Sequence, residues 1–530
     1  MAAVLALGSA GVILRTTAPV VWHGITLLVA AMALAPGLQY VFGLVLWSGT
    51  AWLSSAYLVG LLLALLTGAQ WERASPGQFA DGLFLAIGIA ALPSVGLQLH
   101  QWLALDLPST WSMGDGYGRP FANFGQPNQL ATFLLWGLLA AAWGLVRRRL
   151  SVGTALFVAL YLLFGLALTQ SRTAWIAVGL LLLASWFWRR LWTYRRWPWL
   201  AGGLGLYFAA CVFSLDGLNQ ALQLSLPLNA DDSARIASEL RPAIWSMFLD
   251  ASLQHPLAGY GWNQISLAQL ATAQSHQPLG FLFAQSHNLF LDLVLWCGIP
   301  AGLLISSYLV WWFWLRVRAV SCAEDAILIL FLLVIGNHAM LELPLQYAYF
   351  ILPVGLVMGS LNVRLDVQPV LHTGRWSLLL LWLASSALLA LIIRDYLRVE
   401  ASYQELRLEQ AHIKTEVPGK PPQVLLLTQL REFIRMSRFE PTSNMGAADL
   451  DWMRRVAGTY PGTGTIPKLA LALAMNKYPA EAQQWLEKMC LNESESQCNA
   501  VRQIWANQSL RNPAVAAITW PNPASAATSR

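Results

Sequence analysis

Five polar stretches interrupt an otherwise apolar chain, and each carries residues whose types suit chemistry on an anionic substrate. In chain order they are GRPFANFGQPNQLATFL, with Arg119, Gln126 and Asn128; LTQSRTAW, with Arg172; RPAIWSMFLDASLQHPLAGYGWN, with Arg241; SHNLFLDLVLWCGIPAG, with His287 and Asn288; and HAMLELPLQYAYFILP, with His338, Glu342 and Tyr347. The planar fork of arginine binds phosphate oxygens in pairs, and a neutral histidine can accept a proton near pH 7. Ionisable groups at membrane depth are candidates for function by default. Together with the amides, these residues predict a polar site for an anionic substrate.

A structural interpretation of the same residues remains open. In this interpretation Arg119 reaches the membrane interface, and Arg172 and Arg241 anchor helix ends. His287 is a helix-start residue hydrogen-bonded to its neighbours, and His338 and Glu342 form a structural pair. Gln126 and Asn128 cap their helix. The shared location of these residues at helix ends on one membrane face favours the substrate interpretation.

Composition identifies the element type that must hold these residues. The 530-residue chain is 56% hydrophobic and 11% charged, whereas soluble domains carry about 25% charged residues. This predicts an all-α fold, a polytopic bundle of membrane helices. The net charge of +6 requires no nucleic-acid partner, because lysine and arginine concentrate in loops. The 26 tryptophans fit interfacial belts, with stacking on sugar faces as the alternative.

Hydropathy predicts twelve membrane segments, of which the first is too short for a full span and lacks the basic start of a signal peptide. They are 2–14, 18–36, 45–66, 79–100, 127–146, 152–169, 173–188, 197–215, 288–316, 325–341, 345–363 and 376–394.

Loop charges predict the orientation of these segments. One set of alternating loops holds Arg15, Arg73, Arg147, Arg148, Arg149, Arg189, Arg190, Arg195, Arg196, Arg316, Arg318, Arg364 and Arg375, and the other holds Arg119, Arg172, Arg235 and Arg241. By the positive-inside rule the first set is cytoplasmic. The candidate site, the long loop 216–287 and the region after residue 394 therefore face outward.

The region after residue 394 is more charged and shows helical patterns, which predict a small α-helical outer domain over 395–510. The stretch TIPKLALALAMNKYPAEAQQWLEKMC is similar to one helical hairpin of the tetratricopeptide kind. Residues 511–530 are predicted to be disordered. Cys490 and Cys498 share the outer compartment and lie eight residues apart, which favours a disulfide over a metal site because no histidine accompanies them.

The five stretches, taken in order over residues ~20 to 360, resemble the bacterial O-antigen ligase superfamily (the WaaL and Wzy proteins), and most closely its PglL-type protein O-oligosaccharyltransferases. The resemblance implies a domain layout of N-terminal helices and an outer loop over 1–126, a ligase-like core over 127–394 and a helical domain after it. The family usually begins with a further helix and outer loop, so this chain departs from it at the N-terminus.

The resemblance also implies an activity: a glycosyltransferase that needs no metal and no cofactor, located in the bacterial inner membrane with its site facing the periplasm. Its donor would be an oligosaccharide on undecaprenyl pyrophosphate, and its acceptor a serine or threonine of an exported protein such as a type IV pilin. By motif match His287 is the base and Arg172 and Arg241 bind pyrophosphate. The residues that position substrate would be Arg119, Gln126, Asn128, Asn288, His338, Glu342 and Tyr347.

Three other functions remain possible at this point. The same chemistry with another acceptor would ligate O-antigen to lipid A core or polymerise a glycan. A transporter of lipid-linked glycan also needs a cavity lined with arginine, but predicts polar residues throughout the membrane depth. A scaffold for cell-envelope enzymes would act through 395–530 and leaves the His287 stretch unexplained.

Overall fold

The computed structural model describes residues 11, 18–105, 111, 119–192, 194, 196–224, 240–413 and 419–521. These residues form helices and one two-stranded antiparallel sheet, β1 (Val20–Trp22) paired with β2 (Leu371–Thr373). The first helices in chain order are α1 (Gly24–Val41), α2 (Ser48–Ala74), α3 (Gln78–Trp102), α4 (Pro127–Val146), α5 (Val152–Leu168), α6 (Arg172–Phe187), α7 (Trp197–Ala221), α8 (Arg241–Gln254) and α9 (Ile265–Thr272). The helical fold class is as expected from the composition.

The second half of the chain continues the bundle and then adds the outer helices. These are α10 (Leu289–Cys297), α11 (Ile299–Ala319), α12 (Ala323–Ala339), α13 (Ala348–Arg364), α14 (Arg375–Gln410), α15 (Thr428–Arg438), α16 (Ala447–Thr459), α17 (Ile466–Met475), α18 (Pro479–Asn492), α19 (Glu495–Ser509) and α20 (Pro513–Ala516). Six of the described helices are long and apolar enough to cross a membrane, namely α1, α2, α3, α4, α7 and α14. The chain is thus a membrane protein, while the count of twelve spans stays a prediction and segment 2–14 lies almost wholly outside the described residues.

Close packing of α2 on α13 forms the centre of the bundle. A Cβ atom on Gly68 would lie 2.1 Å from the carbonyl oxygen of Leu356, and one on Gly359 would lie 2.0 Å from that of Leu65. Small residues let the backbones of membrane helices approach this closely, because no bulky side chain lies between them. Helix α4 packs between α3, α5 and α12, which brings its polar start next to the end of α12.

The predicted single segment 288–316 is wrong in one respect, because it consists of two helices that meet at Gly298. This residue has φ +82, and a Cβ atom there would lie 2.2 Å from the carbonyl oxygen of Leu257. The backbone N–H of Ile299 donates to Pro256, and that of Tyr260 donates to Leu295, each at 2.7 Å. The HPLAGYG stretch of the outer loop is therefore held against the break, and α10 is a short helix beginning beside His287.

The predicted boundary at residue 394 lies inside α14, which continues unbroken for 36 residues. Just past this position the buried carboxylate of Asp395 accepts hydrogen bonds from the backbone N–H groups of Leu425 and Leu426, at 2.8 and 2.6 Å. The extended segment that follows α14 is thereby tied back to its middle. The membrane core and the outer helices thus share one rigid element.

Charged side chains collect at the end of the bundle opposite the candidate site. Asp81 contacts Arg149 at 2.6 Å, and Arg364 contacts Asp325 at 2.7 Å and Glu72 at 3.1 Å. The two arginines belong to the set predicted to be cytoplasmic. The bundle therefore has two chemically distinct ends.

The outer helices α15–α20 have their own apolar core, which also includes Trp47, just before α2, and Leu270 on α9. Helices α17 and α18 pack on each other, as the hairpin pattern predicts, while their similarity to a tetratricopeptide repeat stays a prediction. The bridge between Cys490 and Cys498 joins α18 to α19, with Cα atoms 5.1 Å apart. The predicted disorder is wrong for the start of 511–530, because α20 is helical and Val515 is buried. Residues 522–530 lie outside the described range.

Candidate active site

The carboxylate of Glu342 lies at the centre of the polar groups that the five stretches supply. Glu342 follows the end of α12 and is 8% exposed. It accepts hydrogen bonds from Gln126 Nε2 at 2.6 Å and from Asn128 Nδ2, and its Oε2 lies 3.0 Å from His338 Nε2. A buried carboxylate is costly unless it is paired in this way. Burial alone would raise the pKa of Glu342, but the bonds from His338 and Asn128 overcome it and hold the pKa below its usual range.

His338 is a fully buried member of this cluster with contacts on both ring nitrogens. Its Nδ1 lies 2.8 Å from Thr132 Oγ1 on α4, and its Nε2 contacts Glu342. Both positions at which the ring can exchange a proton are thus taken by protein groups. The geometry matches the structural pair that the sequence left open, and it holds the Glu342 carboxylate in place.

The amides at the start of α4 point to the carboxylate rather than closing the helix end. Gln126 is the N-cap residue of α4, but its side chain makes no capping bond. The Asn128 Oδ1 accepts a hydrogen bond from Ser171 Oγ at 2.6 Å. Ser171 is the N-cap residue of α6, whose first residue is Arg172. The helix-cap interpretation of Gln126 is therefore wrong, and Asn128 links Glu342 to the turn before Arg172.

Arg119 holds the turn that leads into α6. Its guanidinium donates to the Thr169 carbonyl at 3.0 and 2.9 Å and to the Gln170 carbonyl at 3.2 Å. Gln170 has φ +49, a conformation that needs such support in a residue other than glycine. These contacts account for Arg119 as a side chain that positions Arg172.

Arg172 and Arg241 bring two positive charges near each other from different parts of the chain, and Arg241 also interacts with the Glu342 carboxylate. Each is the first residue of its helix, α6 for Arg172 and α8 for Arg241. Burial lowers the pKa of Arg241, the charge of Glu342 opposes this, and the charge of Arg172 adds to it. Two guanidiniums at helix starts, where the helix dipole is also positive, form a field that favours an anion.

His287 lies at the edge of this field in a left-handed backbone conformation, with φ +59. Asn288 follows it as the N-cap of α10 and accepts from the backbone N–H groups of Phe290 and Leu291, at 3.1 and 3.2 Å. The Nδ1 atom of His287 is buried and has no hydrogen-bond partner among the described residues. Burial and the charge of Arg241 lower the pKa of His287, against the opposing effects of Glu342 and the Leu341 backbone. A proton acceptor requires a neutral imidazole with one nitrogen that has no hydrogen-bond partner.

Two contacts tie the His287 loop to its surroundings. Trp245 of α8 donates from Nε1 to the Ser286 carbonyl at 3.1 Å, so the loop is joined to the helix that begins at Arg241. The Phe283 ring meets the His287 ring edge to face, with centroids 5.9 Å apart. The position of the histidine therefore depends on the segment just before it.

Gln269 holds that segment, and sequence reasoning missed it. This fully buried side chain on α9 accepts from the Phe283 N–H at 2.8 Å and donates to the Phe281 carbonyl at 2.7 Å. It also donates to Asn492 Oδ1 at 2.9 Å, at the end of α18. A continuous set of contacts thus runs from the outer helices to His287. No spacing or motif marks Gln269, because its partners are distant in the chain.

Two further predicted groups, Tyr347 and the cysteine pair, are placed differently from the residues that contact Glu342. Tyr347 is 40% exposed at the start of α13, and its ring packs on Tyr349 with centroids 5.4 Å apart. The hydroxyl that joins the start of α4 is that of Tyr349, which donates to Gln129 Oε1 at 2.5 Å. The disulfide between Cys490 and Cys498 belongs to the outer helices rather than to the cluster. Thr132 and Ser171 were missed although both lie inside the quoted motifs.

Comparison with known proteins identifies the family to which the chain is similar. Family models match the chain under the descriptions "Protein glycosylation ligase" over 120–143, "O-Antigen ligase" over 156–306 and "Virulence factor membrane-bound polymerase, C-terminal" over 326–504. The chain is 32% identical over 472 residues to the general O-oligosaccharyltransferase of Acinetobacter baylyi, covering 87% of this chain and 82% of that protein. It is also 32% identical over 251 residues to the ComP-specific O-oligosaccharyltransferase of the same organism, covering 47% of this chain and 44% of that one.

Proposed function

The chain belongs to the O-oligosaccharyltransferase family, and on this basis we propose that it transfers an oligosaccharide en bloc from undecaprenyl pyrophosphate to serine or threonine hydroxyls of proteins. One observation supports the assignment of the site: Arg241 and His287 come from distant parts of the chain and both interact electrostatically with Glu342, while Arg172 interacts with Arg241. This gives a glycosyltransferase a cationic pocket for the leaving group beside a neutral base.

The reaction uses these residues in separate roles. The acceptor hydroxyl oxygen attacks the anomeric carbon of the donor, and its proton passes to the open Nδ1 of His287. The bond between the anomeric carbon and the pyrophosphate oxygen breaks, and its electron pair leaves with the pyrophosphate. Arg172 and Arg241 bind the charge that develops there, which lowers the energy of the transition state.

Glu342 sets the electrostatic balance of the pocket. Its negative charge partly offsets that of Arg241, and its oxygens accept hydrogen bonds from the amides of Gln126 and Asn128. These amides are then placed to contact the sugar or the acceptor at the rim of the site. Glu342 itself is not the base, because its depressed pKa leaves it a weak proton acceptor.

Orientation is part of the proposal. The site and the outer helices face the periplasm, and the Asp81–Arg149 end faces the cytoplasm of a bacterial inner membrane. The charge asymmetry of the loops supports this. A reporter that is active only after export, fused near residue 250 or at the C-terminus, should be active. A signal from a cytoplasm-dependent reporter at residue 250 would overturn the orientation.

Transfer by purified protein tests the assignment directly. Lipid-linked oligosaccharide and a pilin acceptor are incubated with the wild type, and the intact mass of the acceptor is measured. Arg172→Lys and Arg241→Lys keep the charge but lose the bidentate fork, so both should slow transfer. Arg189→Lys, on an exposed residue at the opposite end, is the matched control and should transfer normally. Full activity of both site variants would exclude the fork as the phosphate ligand.

A second acceptor class has one observation in its favour, which is the polymerase description that matches residues 326–504. The same site would then ligate glycan to lipid A core or extend a glycan chain. Offering a protein, lipid A core and a free glycan to the same preparation distinguishes these outcomes. We expect the protein alone to gain mass.

A further inference from the structure

Arg316 is a buried cation at the end of the bundle remote from the candidate site. The sequence places it in a cytoplasmic loop, but it lies in the last turn of α11 and is only 6% exposed. Its guanidinium stacks on the Trp312 ring, 4.6 Å from the centroid, and its Nη2 donates to Asn362 Oδ1 at 2.8 Å. No described carboxylate pairs with it, and its Nε is buried without a hydrogen-bond partner. A buried charge in this state is costly unless a ligand completes it.

Asn362 supplies a second unused donor at the same place. Its Oδ1 accepts from both Arg316 Nη2 and Trp312 Nε1, at 2.8 and 3.2 Å. Two donors on this atom fix the orientation of the amide, since turning it over would set N–H groups against N–H groups. The fully buried Nδ2 is therefore a true donor, and it has no partner in the described part of the chain.

His23 adds a third unsatisfied atom next to the same helices. It is 2% exposed at the N-cap of α1, and its Nδ1 lacks a partner among the residues that the structure describes. Its charged neighbours include the two cations Arg316 and Arg73. The positive end of the α1 dipole points to the same region. The donors here are the N–H groups of Arg316 and Asn362, and together with the positive charges of Arg316 and Arg73 they favour an anion.

We propose that His23, Arg316 and Asn362, where α1, α11 and α13 meet, form a pocket that binds the phosphate of an anionic lipid headgroup. Arg316 Nε and Asn362 Nδ2 lie within roughly 7–8 Å of each other. Each of these atoms is two covalent bonds from one end of the hydrogen bond that joins Arg316 Nη2 to Asn362 Oδ1. Two oxygens of one phosphate can bridge donors at that separation. Basic pockets between membrane helices on the cytoplasmic side are characteristic sites for anionic headgroups. Free phosphate offers the same chemistry without the lipid chains.

Thermal unfolding of the delipidated full chain in detergent tests the pocket. Phosphatidylglycerol should raise the unfolding midpoint of the wild type by about 2 °C or more, because a ligand of the folded state stabilises it by mass action. Phosphatidylcholine, whose headgroup is neutral overall, should not. An equal shift with inorganic phosphate alone would assign the site to free phosphate. No shift with either anion, or equal shifts with the two lipids, would overturn the proposal.

Variants separate this pocket from general attraction to anionic lipid. Asn362→Asp places a carboxylate beside Arg316, so the unliganded midpoint should stay or rise while the shift with phosphatidylglycerol is lost. Arg316→Gln should also lose the shift. Arg318→Gln removes an exposed charge from the same helix end and should keep it. Should Arg316→Gln fail to fold, Asn362→Asp still decides, and a full wild-type shift in that variant would overturn the site.

Discussion

Glu342 Oε2 lies 3.0 Å from His338 Nε2, and this contact distinguishes His338 from His287, which Glu342 affects only through its charge. His338 has a partner on each nitrogen, whereas the Nδ1 of His287 has none among the described groups. A ring bonded on both sides can orient a carboxylate but has no open nitrogen for a substrate proton. The pair His338–Glu342 thus supports the site, and His287 is the group that can react.

Replacing His287 by alanine should leave folded protein that binds lipid-linked donor but transfers glycan at least a hundredfold more slowly. General-base assistance is typically worth about 10²–10⁴ in rate, which sets this expectation. Single-turnover transfer measured beside donor binding provides the test. His255→Ala, at the end of α8, is a control that should transfer normally. If His287→Ala transfers normally while His338→Ala is inactive, the base is misassigned and His338 takes that role.

The pH dependence of transfer should follow the charge around His287. Burial lowers its pKa from 6.5, so the acid limb of kcat/KM should lie below pH 6.5 and activity should fall as pH drops through it. Glu342 raises the pKa of His287, so Glu342→Gln should move this limb to still lower pH. The pH profile of both proteins is the measurement. Movement of the limb to higher pH would contradict the assigned base.

Gln269 should affect catalysis although it lies outside the cluster. Gln269→Leu breaks the bonds to Phe281 and Phe283, and a displacement of His287 by about 1 Å can cost on the order of 10² in rate. We expect kcat to fall and donor KM to stay within a few fold. Gln269→Glu keeps an acceptor for the Phe283 N–H and should recover part of the rate.

The control for Gln269 is Gln274→Leu, which removes a bond from the exposed Gln274 to Glu487 in the same region. If Gln269→Leu and Gln274→Leu lose kcat equally, the loss reflects the general stability of this region and not the position of His287. An unchanged pH profile in a slow Gln269→Leu protein would point the same way, since a displaced His287 also changes its surroundings.

The disulfide of the outer helices should contribute stability there. Replacing Cys490 and Cys498 by serine should lower the free energy of unfolding of α15–α20 by about 2–3 kcal/mol, because the closed loop restricts the unfolded chain. Chemical unfolding followed by tryptophan fluorescence measures this. Thiol labelling of unreduced protein from oxidising cells is the companion assay, and full labelling of both cysteines would exclude the bridge.

Much of the site followed from the sequence because polar groups in an apolar chain are costly and therefore informative. Arg172, Arg241, His287 and Glu342 were marked by their surroundings, and the structure brings them together. Gln269 is one polar residue on the short helix α9, and only its partners elsewhere in the chain reveal its role. Arg316 was assigned to a loop because positive charge near a helix end normally reaches solvent. Its burial depends on the packing of α1 and α13, which local sequence does not encode.

Helix α14 sets the height and the facing of the outer helices above the bundle. Its 36 residues extend about 54 Å, well beyond the ~30 Å of hydrocarbon. Near residue 395 a single inserted residue would turn everything beyond it by about 100° and lift it by ~1.5 Å. Asn492 and Gln269 would then no longer be within hydrogen-bond distance, and His287 would lose this support. The number of residues in this helix between residue 375 and residue 410 therefore matters for the site, whatever side chains its lipid-facing surface carries.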